Sequence, residues 1–298
     1  MFATCGRFAK GRSVYVSMST KCVDGGYDDD DINNNNNVLI AERDASNGIA
    51  TLILNRPKQR NALSLELLER LGAELDLLAK DKAIRAVVVA GNGPVFSSGH
   101  DLKEVHACSV GEADPNHLFD FCSKVMQQVV ELPQPVICAV DGVATAAGCQ
   151  LAASCDLVVA NASSTFSTPG VRIGLFCTTP AVALARSVGK KAAMDMLLTG
   201  RAVGAKEAKQ MGLISHIVEG NARQAADVLA AEIADASGEA LRVGKSAFRE
   251  QVEKGSLGEA YCVASAAMAG NATSDDCTEG IDAFFEKRTP QWNNHDEC

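Results

Sequence analysis

The chain holds eleven cysteines, an odd and scattered set, yet no two of them stand at Cys-x-x-Cys spacing. That absence argues against a zinc site and against the stapled framework of a small secreted domain, and it points to reduced thiols inside a cell. No run of about 18 apolar residues occurs, the length needed to span a bilayer. Basic charge is in deficit. With 28 Lys and Arg against 37 Asp and Glu, the net charge is −9, the wrong sign for a nucleic-acid surface. Neither G-x-x-x-x-G-K-[ST] nor a G-x-G-x-x-G after a strand occurs, which excludes the two common phosphate-cradling loops.

Acid is also missing from the first 22 residues. This stretch carries Arg7, Lys10, Arg12 and Lys21 among several Ser and Thr, the composition of an organellar transit peptide. A plain basic tail is the alternative; a secretory signal lacks its apolar stretch here. Residues 23–37 follow with Asp28 to Asp31 and then Asn33 to Asn37, a low-complexity run that cannot bury a core and reads as a solvated linker. The folded part is expected from Val38, and the 47% apolar composition of the whole chain supplies enough for a sizeable core.

Within it, Ile49 to Leu54 reads as a strand stopped by Arg56-Pro57. Ser64 suits the start of a helix on which Leu68, Leu71, Leu75 and Leu78 recur at helical spacing. Ala86 to Ala90, Pro135 to Val140 and Leu157 to Ala160 are short apolar strands, the pattern of a sheet covered on both faces. Helices are predicted over His117 to Leu132 and Ala147 to Ser154. Beyond Pro180 the pattern is almost wholly helical: 181–188, 191–198, 205–211, 222–236, 239–252, 258–268 and 276–287. Strands alternating with helices and then helices alone predict an α/β core over 38–200 and a helical C-terminal region over 201–298.

Two segments carry candidate chemistry. The first runs from Val95 to Glu104 and includes Phe96-Ser97-Ser98-Gly99-His100-Asp101-Leu102-Lys103. The second is Asp141 to Ala152, with Ala146-Ala147-Gly148-Cys149-Gln150 at a strand-to-helix turn. In both, small residues let backbone approach a ligand closely. In the second, free N–H groups at a helix start sit where the helix dipole favours negative charge. Two such donors converging on one oxygen would form an oxyanion hole. Gly-Ala-rich strand-to-helix turns are common packing features, and either segment alone would be structural more often than not.

The order Asn55-Arg56-Pro57…Asn61-Ala62-Leu63, then Phe96 to Lys103, then Gly142…Ala146-Ala147-Gly148-Cys149-Gln150-Leu151-Ala152…Cys155-Asp156 resembles the enoyl-CoA hydratase/isomerase (crotonase) superfamily. Phe166-Ser167-Thr168-Pro169-Gly170, Gly189-Lys190…Leu198-Thr199-Gly200 and the tail from Glu279 to Pro290 extend the resemblance over Ile49 to Trp292. The wording is most similar to a mitochondrial branch. The resemblance implies a spiral of ββα units with a helical trimerisation region, a homotrimer or homohexamer, an acyl-CoA thioester as ligand, and a mitochondrial matrix location. It implies a role in fatty-acid metabolism and no separate cofactor or metal, coenzyme A being part of the substrate. By position it makes the backbone N–H groups of His100 and Ala147 the oxyanion donors. It assigns His100, Asp101, Leu102 and Lys103 to the CoA-binding stretch, with Gln59 and Arg60 near the adenine. It also assigns Phe285 and Lys287 to CoA contacts, often made from a neighbouring subunit.

The pattern departs where hydratases of the family place two glutamates: here stand Gln150 and Gly170. Hydration needs general acid–base groups, each contributing about 10²–10⁴-fold, and neither an amide nor glycine exchanges protons near neutral pH. Hydratase chemistry is therefore expected to be absent. Gln150 could still hold a water or a substrate carbonyl, or simply fill space. Gly170 is expected to widen the acyl pocket, and Cys177-Thr178-Thr179-Pro180 replaces the family's Pro-Gly-x-Gly-Gly loop. The His100 imidazole is a candidate to titrate near neutrality, unless the side chain turns away and only its N–H is used. Asp101 is expected to fix its turn and Cys149 to pack; His117, His216 and His295, expected on helices or tails, have no assigned role. Two functions stay open: a non-catalytic acyl-CoA-binding protein, or an isomerase, decarboxylase, thioesterase or lyase using the oxyanion hole with another acid or base. A third is an active enoyl-CoA hydratase.

Overall fold

Leucines at helical spacing, set between valine-rich strands, organise the interior. In the computed structural model, which describes residues 37–293, the first such helix is α1 (Leu65–Leu78), preceded by strands β1 (Leu39–Asp44) and β2 (Ile49–Leu54). Ser64 caps α1 by accepting the Leu67 N–H, and Leu67, Leu68, Leu71, Leu75 and Leu78 turn inward. Each such side chain contributes about 1.5–3 kcal/mol on full burial. The expected leader and most of the Asp/Asn linker lie outside the described residues, as does His295.

Next come β3 (Ala86–Gly91), α2 (Leu102–Ser109), α3 (Pro115–Glu131), β4 (Val136–Val140), β5 (Val143–Thr145), α4 (Ala147–Ser154), β6 (Leu157–Asn161) and β7 (Thr165–Ser167). The main sheet runs β1-β2-β3-β4-β6 and ends on β9 (His216–Val218); β1 is antiparallel to β2 and the rest are parallel. A second sheet joins β5, β7 and β8 (Val203–Gly204). Each of the pairs β4–β5 and β6–β7 thus places one strand in each sheet before a helix follows.

The all-apolar strands β3 and β4 are covered on both faces. Val87 and Val89 of β3, with Val136, Cys138 and Val140 of β4, join the α1 and α3 side of the core. Ala86, Val88, Ala90, Ile137 and Ala139 face the opposite way, onto α8 (Ala222–Ala234). That helix presents Ala222, Ala226, Ala230 and Ala234, one small residue per turn, all buried against the sheet. The alternation follows from the two-residue period of a strand.

After the second sheet's β7 come α5 (Thr178–Ser187), α6 (Lys190–Thr199) and α7 (Ala205–Met211); after α8 come α9 (Gly238–Val252), α10 (Leu257–Asn271) and α11 (Asp275–Glu286). The expectation of an almost wholly helical stretch beyond Pro180 is corrected by β8 and β9, which pair back to β7 and β6. His216 accordingly lies on a strand and not on a helix or tail. Strands of two or three residues carry no periodicity of their own; their identity resides in their partners. Among the described residues no helix is long and apolar enough to cross a membrane.

Helices α9 to α11 cover little of their own apolar surface. No residue of α10 is buried, and Phe248, Leu257, Tyr261, Met268, Phe284 and Phe285 are all more than two-thirds exposed. Soluble chains rarely leave contiguous apolar faces of this kind without a partner.

Candidate active site

The first candidate segment is held by a brace from the Asn55 to Leu63 stretch. Asn61, fully buried with φ 53 at its neighbour Arg60 and 51 at itself, accepts the Arg56 N–H at 2.9 Å. Its amide nitrogen donates to the carbonyls of Asn92 and Val95, at 2.9 and 2.7 Å. The Arg56 guanidinium donates to the Ala62 carbonyl at 2.7 Å and to Asp101 at 2.9 Å. Both partners of that ion pair are mostly shielded from solvent, with side chains 17% and 15% exposed. Asp101 also caps α2 by accepting the Lys103 N–H at 3.1 Å. Asp101 therefore fixes its turn, as the sequence suggests. Glu104 accepts the Leu65 N–H at the start of α1, and burial pushes its carboxyl up.

Leu63 pairs in parallel with His100: the Leu63 N–H reaches the Gly99 carbonyl at 2.8 Å, and the Asp101 N–H reaches the Leu63 carbonyl at 3.4 Å. This register turns the His100 N–H away from Leu63, and it meets no acceptor among the described residues. Ser97 ties the segment to the second one. Its backbone exchanges bonds with Val143 and Thr145, at 3.1 and 2.9 Å, and its hydroxyl donates to the Asn61 carbonyl. Gly99, at φ 89, lies so close to the second turn that a Cβ there would sit 2.8 Å from the Ala146 Cβ and 3.2 Å from the Ala147 nitrogen. A side chain at Gly99 would force the two turns apart.

Ala147 opens α4, and its N–H likewise meets no acceptor among the described residues. The residue before it, Ala146, adopts φ 51 and ψ −118. Non-glycine residues in such sparsely populated regions cost about 1–3 kcal/mol and persist only where their surroundings fix them. Here the Ala146 N–H donates to the Ser167 carbonyl at 2.9 Å and its carbonyl accepts the Gln150 N–H at 3.0 Å. Two backbone N–H groups without an acceptor among the described residues thus lie on adjoining turns, one of them at a helix start.

Three buried side chains on or next to these turns carry unpartnered polar atoms. Gln150, on the first turn of α4, is 4% exposed, and its Oε1 has no hydrogen-bond partner. Thr168 is fully buried and its hydroxyl is likewise unpartnered. The His100 ring packs edge-on against Phe119 of α3, with centroids 5.3 Å apart, and neither ring nitrogen has a partner. Burial pushes its pKa down from 6.5 to about 4. The imidazole is therefore neutral at pH 7, which corrects the expectation that it titrates near neutrality. Burial also pushes the Cys149 thiol up to about 12 and raises that of Cys177. Neither is a thiolate at neutral pH.

Gly170 lies in a short 3-10 turn (Pro169–Ile173) after β7 and is buried. A Cβ there would fall on the Leu175 carbonyl oxygen and 2.7 Å from the Cys177 sulfur. The expectation that glycine widens the acyl pocket is corrected: the backbone of Leu175 and the thiol of Cys177 occupy that space. The residues expected near coenzyme A are at the surface. Gln59 and Arg60 end an exposed 3-10 turn, and Leu102 and Lys103 project from the first turn of α2. Phe285 and Lys287 lie on and just after α11, exposed, and no hydrogen bond, ion pair or ring contact among the described residues joins them to the donor turns. The brace by Arg56 and Asn61, and the buried Thr168, were not assigned roles from sequence. Arg56 and Asp101 stand 45 residues apart, so only the fold pairs them.

The family model for enoyl-CoA hydratase/isomerase matches residues 44–295. Enoyl-CoA hydratase domain-containing protein 3, mitochondrial, of Danio rerio is 46% identical over 256 residues, covering 86% of this chain and 88% of that protein. The Homo sapiens protein of the same name is 44% identical over 249 residues, 83% of this chain and 82% of its own length. The crystal structure of human enoyl coenzyme A hydratase domain-containing protein 3 superposes with TM-score 0.81 at 43% identity, covering 86% of this chain and all of that one. An enoyl-CoA hydratase of Mycobacterium smegmatis gives 0.80 at 42% identity over 86% of this chain and 99% of its own. The fold is the crotonase fold, and the chain belongs to the enoyl-CoA hydratase/isomerase family.

Proposed function

We propose that this protein binds acyl-CoA thioesters in the mitochondrion, as a member of fatty-acid metabolism that has given up water addition. The observation that carries the reading is the pair of unpartnered N–H groups of His100 and Ala147 on two touching turns, where a thioester carbonyl would lodge. Coenzyme A would then run past His100 to Lys103, with its adenine near Gln59 and Arg60. Phe285 and Lys287 would be contributed by a neighbouring copy, an arrangement favoured by the uncovered apolar faces of α9 to α11. Those faces support a homotrimer or homohexamer. The mitochondrial names of the Danio and human relatives, and the basic, acid-free residues 1–22, support the location and a cleaved leader.

Catalysis is disfavoured by the chemistry of the site. Gln150 and Gly170 replace the two carboxylates, His100 is neutral, and the Cys149 and Cys177 thiols are held protonated by burial. Asp101, the nearest acid in sequence, is committed to Arg56. The test combines calorimetric titration with a panel of acyl-CoA esters and mass spectrometry of the same mixtures. Binding without conversion is the expected result. Conversion of crotonyl-CoA at ordinary hydratase rates would refute it, and turnover of any other ester would favour the isomerase, decarboxylase, thioesterase or lyase reading. Sequencing the mature N-terminus tests the leader.

A further inference from the structure

A cavity of about 710 Å³ opens between the end of α3 and the helices α9 and α10, and no residue of the donor turns lines it. Its volume falls in the range that holds a small organic ligand, about 300–1,000 Å³. Leu132 and Pro133, just past α3, and Val263 and Ala266 of α10 give it apolar walls. The most exposed apolar side chains of the same helices, Phe248, Tyr261 and Met268, do not line it.

The α9 wall is charged. Arg242, Lys245 and Arg249 recur at intervals of three and four residues, so one stripe of the helix faces the cavity. Most of that charge is already answered. Lys245 holds Asp156 at 2.6 Å and the Gln134 carbonyl at 2.9 Å. Arg249 has Glu131 at 3.7 Å, and Glu250, also on the wall, holds Lys254 at 2.8 Å. Arg242 stands apart: its Nη1 is buried without a hydrogen-bond partner, and no carboxylate among the described residues pairs with it. Arg85 reaches the same end of α9, but its guanidinium is committed to the Ala234 and Asn47 carbonyls.

A guanidinium keeps its proton and has only donors to offer, so an unanswered one is best met by an acceptor that carries negative charge. With Lys245, Arg249 and Glu250 matched, one positive charge is left over on the wall, that of Arg242. A monoanion neutralises it. A phosphate dianion would bring a surplus negative charge among apolar walls, which is unfavourable. A small, wholly polar anion would leave the Leu132, Val263 and Ala266 surface in contact with water.

We infer that this cavity binds a carboxylate carried on an apolar chain, a fatty acid, with the carboxylate on Arg242 and the chain against Leu132, Val263 and Ala266. The site is separate from the donor turns and does not depend on the acyl-CoA reading. The experiment is calorimetric titration of the full chain with decanoate, decan-1-ol and decyl phosphate, repeated on Arg242→Gln and Ala266→Trp. Decanoate is expected to bind on the order of tenfold more tightly than decan-1-ol, the weight of one charge-assisted hydrogen bond, and more tightly than decyl phosphate. Arg242→Gln should remove the advantage of decanoate and leave decan-1-ol unchanged. Ala266→Trp fills the cavity and should weaken both at least tenfold, with a thermal melt confirming that it folds. Absence of decanoate binding, equal affinity for decanoate and decan-1-ol, or an advantage that Arg242→Gln leaves intact overturns the inference. Tighter binding of decyl phosphate overturns it as well. Displacement of decanoate by butyryl-CoA would put the chain at the donor turns instead. A lower sedimentation coefficient for Ala266→Trp would mean that a second copy fills the cavity, and either result also overturns the inference.

Discussion

One guanidinium, that of Arg56, holds both Asp101 at 2.9 Å and the Ala62 carbonyl at 2.7 Å, so it locks the Ala62-Leu63 segment that pairs with His100 to the turn that follows His100. Its planar fork suits this two-way bond in a way that a lysine ammonium does not. Arg56→Ala is expected to destabilise the fold by roughly 2–3 kcal/mol, because it leaves Asp101 largely buried and unpaired. Arg56→Lys should recover only part of that. Urea denaturation of the three proteins, alongside acyl-CoA titration, measures both effects. A cost below about 0.5 kcal/mol for the alanine variant would mean that the pair behaves as an ordinary surface bridge.

A second prediction concerns Ala146, whose φ of 51 and ψ of −118 place it where glycine is at ease and alanine is not. Ala146→Gly should relieve strain worth about 1–3 kcal/mol, offset by roughly 0.5–1 kcal/mol of added freedom in the unfolded chain. The net expectation is a neutral to stabilising change, seen as an unchanged or higher Tm. A drop of several degrees would show that the Ala146 methyl, which a Cβ on Gly99 would approach to 2.8 Å, makes packing contacts that outweigh the strain.

Much of this arrangement could be read from the chain alone. Leucine spacing and the Ser64 cap mark α1, and the all-apolar β3 and β4 reveal a sheet covered twice. The two donor turns stand out by their small residues. The short strands β5, β7, β8 and β9 do not, since two or three residues carry no pattern and only pairing defines them. Nor could a sequence reveal that the space beside Gly170 is filled by Leu175 and Cys177, or that Phe119 and the surrounding core hold His100 neutral. Contacts between distant segments decide these points.

That filling of space bears on any attempt to restore hydration. Gln150→Glu alone returns a carboxylate to α4, but Gly170→Glu drives a Cβ into the Leu175 carbonyl and within 2.7 Å of the Cys177 sulfur. The turn from Pro169 to Ile173 would have to move. The double variant is therefore expected to lose stability, by about 1–3 kcal/mol as for an overpacked core, without gaining crotonyl-CoA hydration. Adding Cys177→Ala should recover a little of the stability by removing the nearer side chain, and none of the clash with Leu175. Hydration at family-like rates in the double variant would show that the turn yields easily.

The last prediction uses the buried ring of His100. In the unfolded chain it protonates near 6.5, and in the fold only near 4, because burial disfavours the imidazolium. Between these values the unfolded state binds more protons than the native one, so stability rises with pH across that window. The contribution is fully present above about pH 6.5 and disappears as the pH falls toward 4, amounting to about 3 kcal/mol for this one group. His100→Phe keeps a ring to pack edge-on against Phe119 and removes the titration. Between pH 7 and pH 4.5 the urea midpoint of the parent should therefore fall more steeply than that of the variant. Parallel curves would mean that the imidazole reaches solvent or finds a carboxylate partner, and that its proton affinity is not set by burial.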